Sequence, residues 1–162
     1  PLTVSQSLPG IDGVVIVTTP QEIALLDSRK SINFAKTISV PVLGVIENMS
    51  GYTIRGTAEA NTRVSVMGPS GIPLECETDG EGNWALTLDV FKSGGGEASA
   101  NDLDVPFLGS LPFDPGIVRG GDDGVHRIVS EPDGETAQAF DSIVARITEE
   151  LEGGSGPSLR IT

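Results

Sequence analysis

The sequence holds one cysteine, one histidine, one tryptophan and one tyrosine. A single thiol, Cys76, excludes an internal disulfide and any metal site built from several thiolates of one chain. His126 has no Cys or His at ligand spacing and reads as a surface or loop residue, and the many serines find no base with which to form a triad. Aromatics are scarce, so the core must be aliphatic. No run approaches the roughly 18 apolar residues that a membrane helix needs. The opening "PLTVSQSLPG" lacks the basic start and apolar stretch of a signal peptide. It also lacks an initiator Met, which points to a fragment or a processed piece, and a cytoplasmic location is the expectation. Basic charge is short as well: 10 Lys and Arg stand against 23 Asp and Glu, a net charge of −13. That field repels phosphate backbones and argues against a nucleic-acid surface. Solubility and adaptation to a salt-rich cytoplasm both account for the excess acid.

What is present divides into two grammars. "GVVIVTT" (13–19) is a β-branched run bounded by Gly13 and Pro20, suited to a strand buried on both faces. The next segment changes period. Ile23, Leu26, Lys30, Phe34 and Ile38 are three or four apart, and Leu25 and Ala35 widen the stripe. Thr19 is the expected N-cap, with Pro20 at the first helical position and Glu22 three after the cap. "VPVLGVIEN" (40–48) is a second buried strand, so residues 13–48 form a βαβ unit with a right-handed crossover.

From residue 48 to 88 the pattern breaks into "YTIRGTA", "TRVSVMG", "IPLECET" and "NWALTLD", short runs with partial period-2 alternation. They are separated by "EAN", "PSG" and "DGEGN", so four antiparallel strands in a meander are expected, with Trp84 as their packing anchor. After Phe91 the α/β grammar resumes. A Gly-rich turn and short helix precede a third strand, "FLGSLPFD" (107–114). Residues 116–133 read as loop with one helical turn and a short extended piece at 126–129. An amphipathic helix follows, with Ala137, Phe140, Ile143, Val144, Ile147 and Leu151 on one face. Residues 153–162 have the composition of a mobile tail.

"KSGGGE" (92–97) invites a phosphate-loop reading and fails it. Such a loop needs glycines ahead of a Lys-Ser/Thr that opens the helix; here Lys92 precedes them and no Gly-Lys-Ser/Thr occurs in the 162 residues. Composition and spacing alone stop at an α/β protein of unassigned function.

Resemblance goes further. "IDGVVIVTTPQEIALLDSRKSINFAKTISVPVLGVIENMSGY" (11–52) closely resembles the Mrp/Nbp-type iron–sulfur cluster carrier ATPases of the MinD/ParA group of deviant Walker NTPases. The likeness resumes at "DVFKSGGGEASANDLDVPFLGSLPFDPGIVRGGDDG" (89–124), and "LTVSQSL" (2–8) is similar to the segment after that family's "DxPPGTGD" motif. The resemblance implies an α/β fold, a partial P-loop NTPase of the MinD/ParA type. Its parallel sheet with flanking helices is discontinuous, 1–52 and 89–152, and ATP binds at the C-terminal strand ends. It implies that adenine is read by Asn48 and by the turn Pro112, Phe113, Asp114, since an Asn amide matches adenine's donor and acceptor edge. The bland alternative is that Asn48 caps a turn and Asp114 starts one. Thr18 to Gln21 would lie where the family builds its nucleotide-dependent homodimer contact, and apo iron–sulfur client proteins would be partners.

Two departures qualify the inheritance. The family's phosphate-binding lysine loop and its Asp-bearing strand are not among these residues. Mg²⁺ binding and hydrolysis are therefore expected only with an N-terminal half that supplies them. The family also places Cys-x-x-Cys after "ENMSGY", where two subunits bridge a 4Fe–4S cluster. Here Thr53, Ile54, Arg55 and Gly56 follow Tyr52. One Cys per subunit gives a dimer two thiolates where four are needed, so no cluster is expected on this chain.

Residues 53–88 stand where the cluster-ligand loop should be, and "IRGTAEANTRVSV" and "ETDGEGNWALTL" are similar to the first half of bacterial Ig-like repeats. A natural insertion, a recombined reading and an artificial chimera all fit this pattern. A second functional reading follows: a relic α/β scaffold whose Ig-like segment binds a partner through an edge strand.

Overall fold

The computed structural model describes residues 10–68 and 70–153. The sequence readings for residues 2–8 and for the tail beyond 153 lie outside them. Three parallel strands, β1 (Val14–Thr18), β2 (Val42–Glu47) and β7 (Phe107–Ser110), form one sheet in the order β1-β2-β7. Helix α1 (Glu22–Thr37) makes the crossover from β1 to β2, as the βαβ reading requires. Helix α2 (Gly95–Asp102) leads into β7, and α3 (Pro115–Asp123), α4 (Arg127–Ser130) and α5 (Glu135–Gly153) follow it.

The central strand shows how the layers are built. Successive side chains of a strand point to opposite faces. Val45 packs with Ile32 of α1 and Ala100 of α2, whereas its neighbour Ile46 packs with Leu108, Leu111 and Ile143 of α5. A residue pair one step apart thus seeds both cores. Gly44, at φ 150°, lets β7 close up; a Cβ there would fall 2.6 Å from Leu108 Cγ.

Several sequence expectations are corrected. Helix α1 starts at Glu22 with Gln21 as N-cap and no side-chain cap bond, so Thr19 does not cap it. The buried stripe of α1 is Ser28, Ile32 and Ala35, while Ile23 is 74% exposed and Leu26 59%. The apolar spacing fits two stripes, and the sheet takes the one carrying small residues because α1 lies close over β1 and β2. Residues 115–130 are two helices rather than loop with an extended piece. Asp114 caps the first through Gly116 N at 2.7 Å, with Pro115 at the first helical position. Val144 of α5 faces outward, 57% exposed.

The β stretch is not a meander. Strand β3 (Tyr52–Thr57) pairs with β6 (Asn83–Leu88), and β4 (Arg63–Met67) pairs with β5 (Pro73–Glu77). The register is continuous: Thr57 faces Asn83 where the first ladder ends, and Arg63 faces Glu77 where the second ends, six residues on along each strand. Between them Ala58 N donates to Gly82 O and Thr62 N to Thr78 Oγ1, both at 2.8 Å. The segment is therefore one long hairpin with a joint, an arm whose outgoing and returning strands lie together along its length. Asp79 forms the turn at the joint, accepting from Glu81 N and Asn83 N. Trp84 lies across Gly56, where a Cβ would come 2.5 Å from the ring. Apart from Leu88 at its base, none of the arm's large apolar side chains is fully buried.

Stability should therefore reside in the α/β layers. Leu108→Ala is expected to lower the unfolding free energy by about 3 kcal/mol, and Leu74→Ala in the arm by about 1 kcal/mol. Urea unfolding of the two variants reads the contrast; equal losses would show an arm core as tight as the sheet's.

Candidate functional site

The C-terminal ends of the three parallel strands form a rim. Hydrogen bonding there continues beyond the strands. Asn48 N donates to Thr18 O at 2.7 Å, Leu111 N to Glu47 O at 2.8 Å, Ser50 N to Leu111 O at 2.9 Å and Phe113 N to Gly51 O at 2.8 Å. Residues 48–51 and 111–113 are thereby zipped side by side, and Asn48 and the Pro112–Asp114 turn share one edge of the sheet.

Each expected site residue has a distinct environment. Asn48 is half-buried, and its Oδ1 accepts from Met49 N at 2.9 Å. No hydrogen bond from its Nδ2 to the described residues ties the amide down, so the group fits a ligand with an exposed acceptor. Phe113 stands edge-on to Tyr52 and Phe91, with ring centroids 5.6 and 5.9 Å away. The Asp114 carboxylate is already engaged. It accepts from Gly116 N, from Arg127 Nε at 2.7 Å and from Thr136 Oγ1 at 2.7 Å. Burial alone would raise its pKa; the hydrogen bonds from Arg127, Thr136 and Gly116, with the Arg127 charge, outweigh that and hold it below the ordinary carboxylate value.

Beside this turn lies a cavity of about 220 Å³ with Tyr52, Arg55, Phe113 and Arg127 among its lining residues. Asn48 is not among them. Its charged groups are paired with one another, Arg55 with Glu135 at 2.6 Å and Arg127 with Asp114 and Glu131.

Sequence reasoning missed Glu47. It is fully buried at the end of β2, and its carboxylate accepts from Gly94 N at 2.9 Å, Gly96 N at 2.6 Å and Ser50 Oγ at 2.6 Å. The glycine loop 94–96 thus gives two of its backbone amides to Glu47, so they are not available to a phosphate. The available signal was a lone acid closing an otherwise apolar strand.

A family model for ParA, described as the NUBPL iron-transfer P-loop NTPase, matches residues 1–73 and 74–148. The chain belongs to this family. An iron–sulfur cluster carrier protein from Methanocaldococcus jannaschii is 36% identical over 152 residues, covering 94% of this chain and 42% of the relative. One from Synechocystis is 37% identical over 146 residues, covering 90% of this chain and 34% of the relative. The chain thus spans less than half the length of these carriers. Among solved structures, the cell division ATPase MinD of Pyrococcus furiosus superposes with a TM-score of 0.53 at 19% identity, over 85% of this chain and 43% of MinD. MinD of Pyrococcus horikoshii, in complex with Mg-ADP, gives 0.53 at 20% identity, over 91% of this chain and 45% of that one. Both likenesses bear out the expected fold, a parallel sheet with flanking helices accompanied by small antiparallel ladders.

The residues of this iron-transfer family member do not suit a bound cluster. Cys76 lies mid-strand opposite Val64 in the arm, and no group of three or more potential metal ligands occurs among the described residues. No helix of the described residues is long and apolar enough to cross a membrane.

The Asp114 contacts make a pH prediction. A carboxyl with a depressed folded-state pKa contributes stability above its unfolded pKa, about 4, and loses it as pH falls through the lower folded value. Asp114→Asn should lower the urea midpoint at neutral pH, and its deficit against the unsubstituted chain should shrink steadily below about pH 4. A deficit that does not change with pH would refute the charge pairing.

Proposed function

We propose that this chain is the adenine-reading half of an ATP-binding iron–sulfur cluster carrier. The observation that carries the reading is the zipped rim, with Asn48 and Pro112, Phe113 and Asp114 on one sheet edge in a member of an iron-transfer NTPase family. Asn48 offers its Nδ2, which donates to none of the described residues, to the purine edge. The Pro112–Asp114 backbone lines the other side, and Asp114 holds that turn rigid through α3, α4 and α5 rather than touching the base. When bound, ATP would supply the phosphoryl chemistry that moves the carrier between states. That the horikoshii MinD, of similar fold, was solved with Mg-ADP supports a nucleotide ligand. With no lysine loop among its residues, the chain alone is inactive in hydrolysis, and Mg²⁺ joins only when that loop is supplied. The cluster is cargo, handled in the cytoplasm with client apoproteins and in a homodimer, and this chain does not itself ligate it.

Residues 53–88 are an insertion in this reading. The family matches, 1–73 and 74–148, both run into the arm, so the insertion reading rests on the ladder rather than on the match. Tyr52, the residue before the insertion, faces Leu88, its last residue, in the ladder, so excision leaves a short gap that a tight turn closes. As a second reading, the arm's partly exposed apolar face and open edges suit it to partner recognition, with Met67 at 67% and Ile72 at 62% exposure near its tip.

The test is ligand titration followed by amide NMR. A purine site without a phosphate grip should bind AMP and ATP with similar affinity, on the order of 1 mM, and should ignore GMP. Shifts should concentrate at 48–51 and 111–114. Replacing residues 53–88 by two glycines should leave AMP affinity within about twofold. Absence of AMP binding would refute the purine reading, and loss on arm removal would favour the recognition reading.

A further inference from the structure

We propose that Glu47 is the positioning residue of the purine rim, acting on the ligand through Asn48; this rests on the purine reading above. Three observations converge on it. The side chain is fully buried at the last position of β2, immediately before Asn48. Its carboxylate receives Gly94 N, Gly96 N and Ser50 Oγ, which come from opposite sides of the inserted arm. The fit around it is tight: a Cβ on Gly96 would lie 2.9 Å from Glu47 Cβ and 3.3 Å from Thr18 Cγ2.

The geometry makes the carboxylate a clasp. Ser50 precedes the arm and Gly94 follows it, so both points of attachment close on the same two oxygens. The turn 48–51 contains Met49 at φ 60° and Gly51 at φ 75°, left-handed conformations that a free loop would seldom hold together. Ser50 lies between them, and its bond to Glu47 Oε1 fixes the turn from inside. That turn sets the direction of the Asn48 amide. A buried acceptor with three donors permits no slack, because releasing one of them leaves a polar group unpaired in the interior. Glu47 therefore fixes the turn at Asn48 independently of the long hairpin that begins four residues further on, at Tyr52.

Glu47→Gln is the discriminating substitution. One end of its amide becomes a donor facing donors, so the clasp loses an acceptor without losing volume. Asn48→Ala should weaken AMP binding about tenfold. Glu47→Gln should do likewise in the unsubstituted chain but change affinity by less than about twofold once Asn48 is Ala. Its effect on the unfolding midpoint should be equal in both backgrounds. The Gly94 and Gly96 amide protons should move upfield in Glu47→Gln, reporting the weakened bonds directly. Should Glu47→Gln not fold, Ser50→Ala keeps the carboxylate and removes only the tether, and it should lower affinity about threefold with Asn48 present.

The outcomes separate. If Asn48→Ala leaves AMP binding unchanged, or if the chain binds no AMP, the purine reading fails. If Asn48→Ala weakens binding while the Glu47→Gln loss persists undiminished in that background, Glu47 is a structural residue only and the positioning role is overturned. If neither Glu47→Gln nor Ser50→Ala alters affinity, the clasp does not set the amide.

Discussion

A carboxylate withdrawn from water is tolerable only where protein donors replace the water it loses. Glu47 meets that condition with two backbone amides and a hydroxyl, drawn from segments that no local sequence rule would bring together. The requirement fixes more than one side chain. It sets where α2 starts, since Gly94 is its N-cap at φ 78° and Gly96 lies in its first turn. It sets the path of the chain between β2 and the arm, and it seals the interior under the rim. The aromatic contacts of Phe113 with Tyr52 and Phe91 repeat the arrangement in apolar form, since those two rings also flank the arm. The rim is thus held by one polar and one apolar clasp, each joining what the arm separates.

The α/β strands were legible because they are continuous apolar runs, although only β2 is covered on both faces; β1 is an edge strand with Val17 59% exposed, against the expectation of burial on both faces. "GVVIVTT" and "VPVLGVIEN" have no polar alternation to misread, and the helical stretch between them dictates a parallel crossover. The stripe of α1 was misread for a related reason. Ile23, Leu26 and Phe34 are large and apolar, yet the face that meets the sheet carries Ser28, Ile32 and Ala35. Residues 115–130 were misjudged because their helices bury nothing fully. Their stability comes from the Asp114 cap and the Arg127 pair, a tertiary arrangement spread over 22 residues up to Thr136.

The segments that carry the candidate site were legible in the sequence, and their side-chain contacts were not. Resemblance singled out Asn48 and Pro112–Asp114, and the backbone bonds past β2 and β7 do zip those segments together. What sequence could not assign was the division of labour. Asp114 carries the more obviously functional side chain, but three donors occupy it, while the Asn48 Nδ2 donates to none of the described residues. Glu47 escaped notice because spacing arguments look for groups near one another in sequence, and its amide partners are 47 and 49 residues away.

The hairpin form of the arm explains why so long a segment can sit at this edge. A meander would leave its two ends on different strands, and the host would have to move to meet them. A single hairpin returns the chain to its origin, and Tyr52 and Leu88, its first and last pair, present the host with ends as close as those of a tight turn. Closure entropy grows only slowly with loop length, so the residues beyond that first pair cost the α/β layers little. The cost falls on the arm itself, whose apolar side chains stay half-exposed along a jointed ladder with open edges. The arm is thus placed to be altered or lost without disturbing β2, and the rim beneath it answers to Glu47 rather than to the sequence of the hairpin.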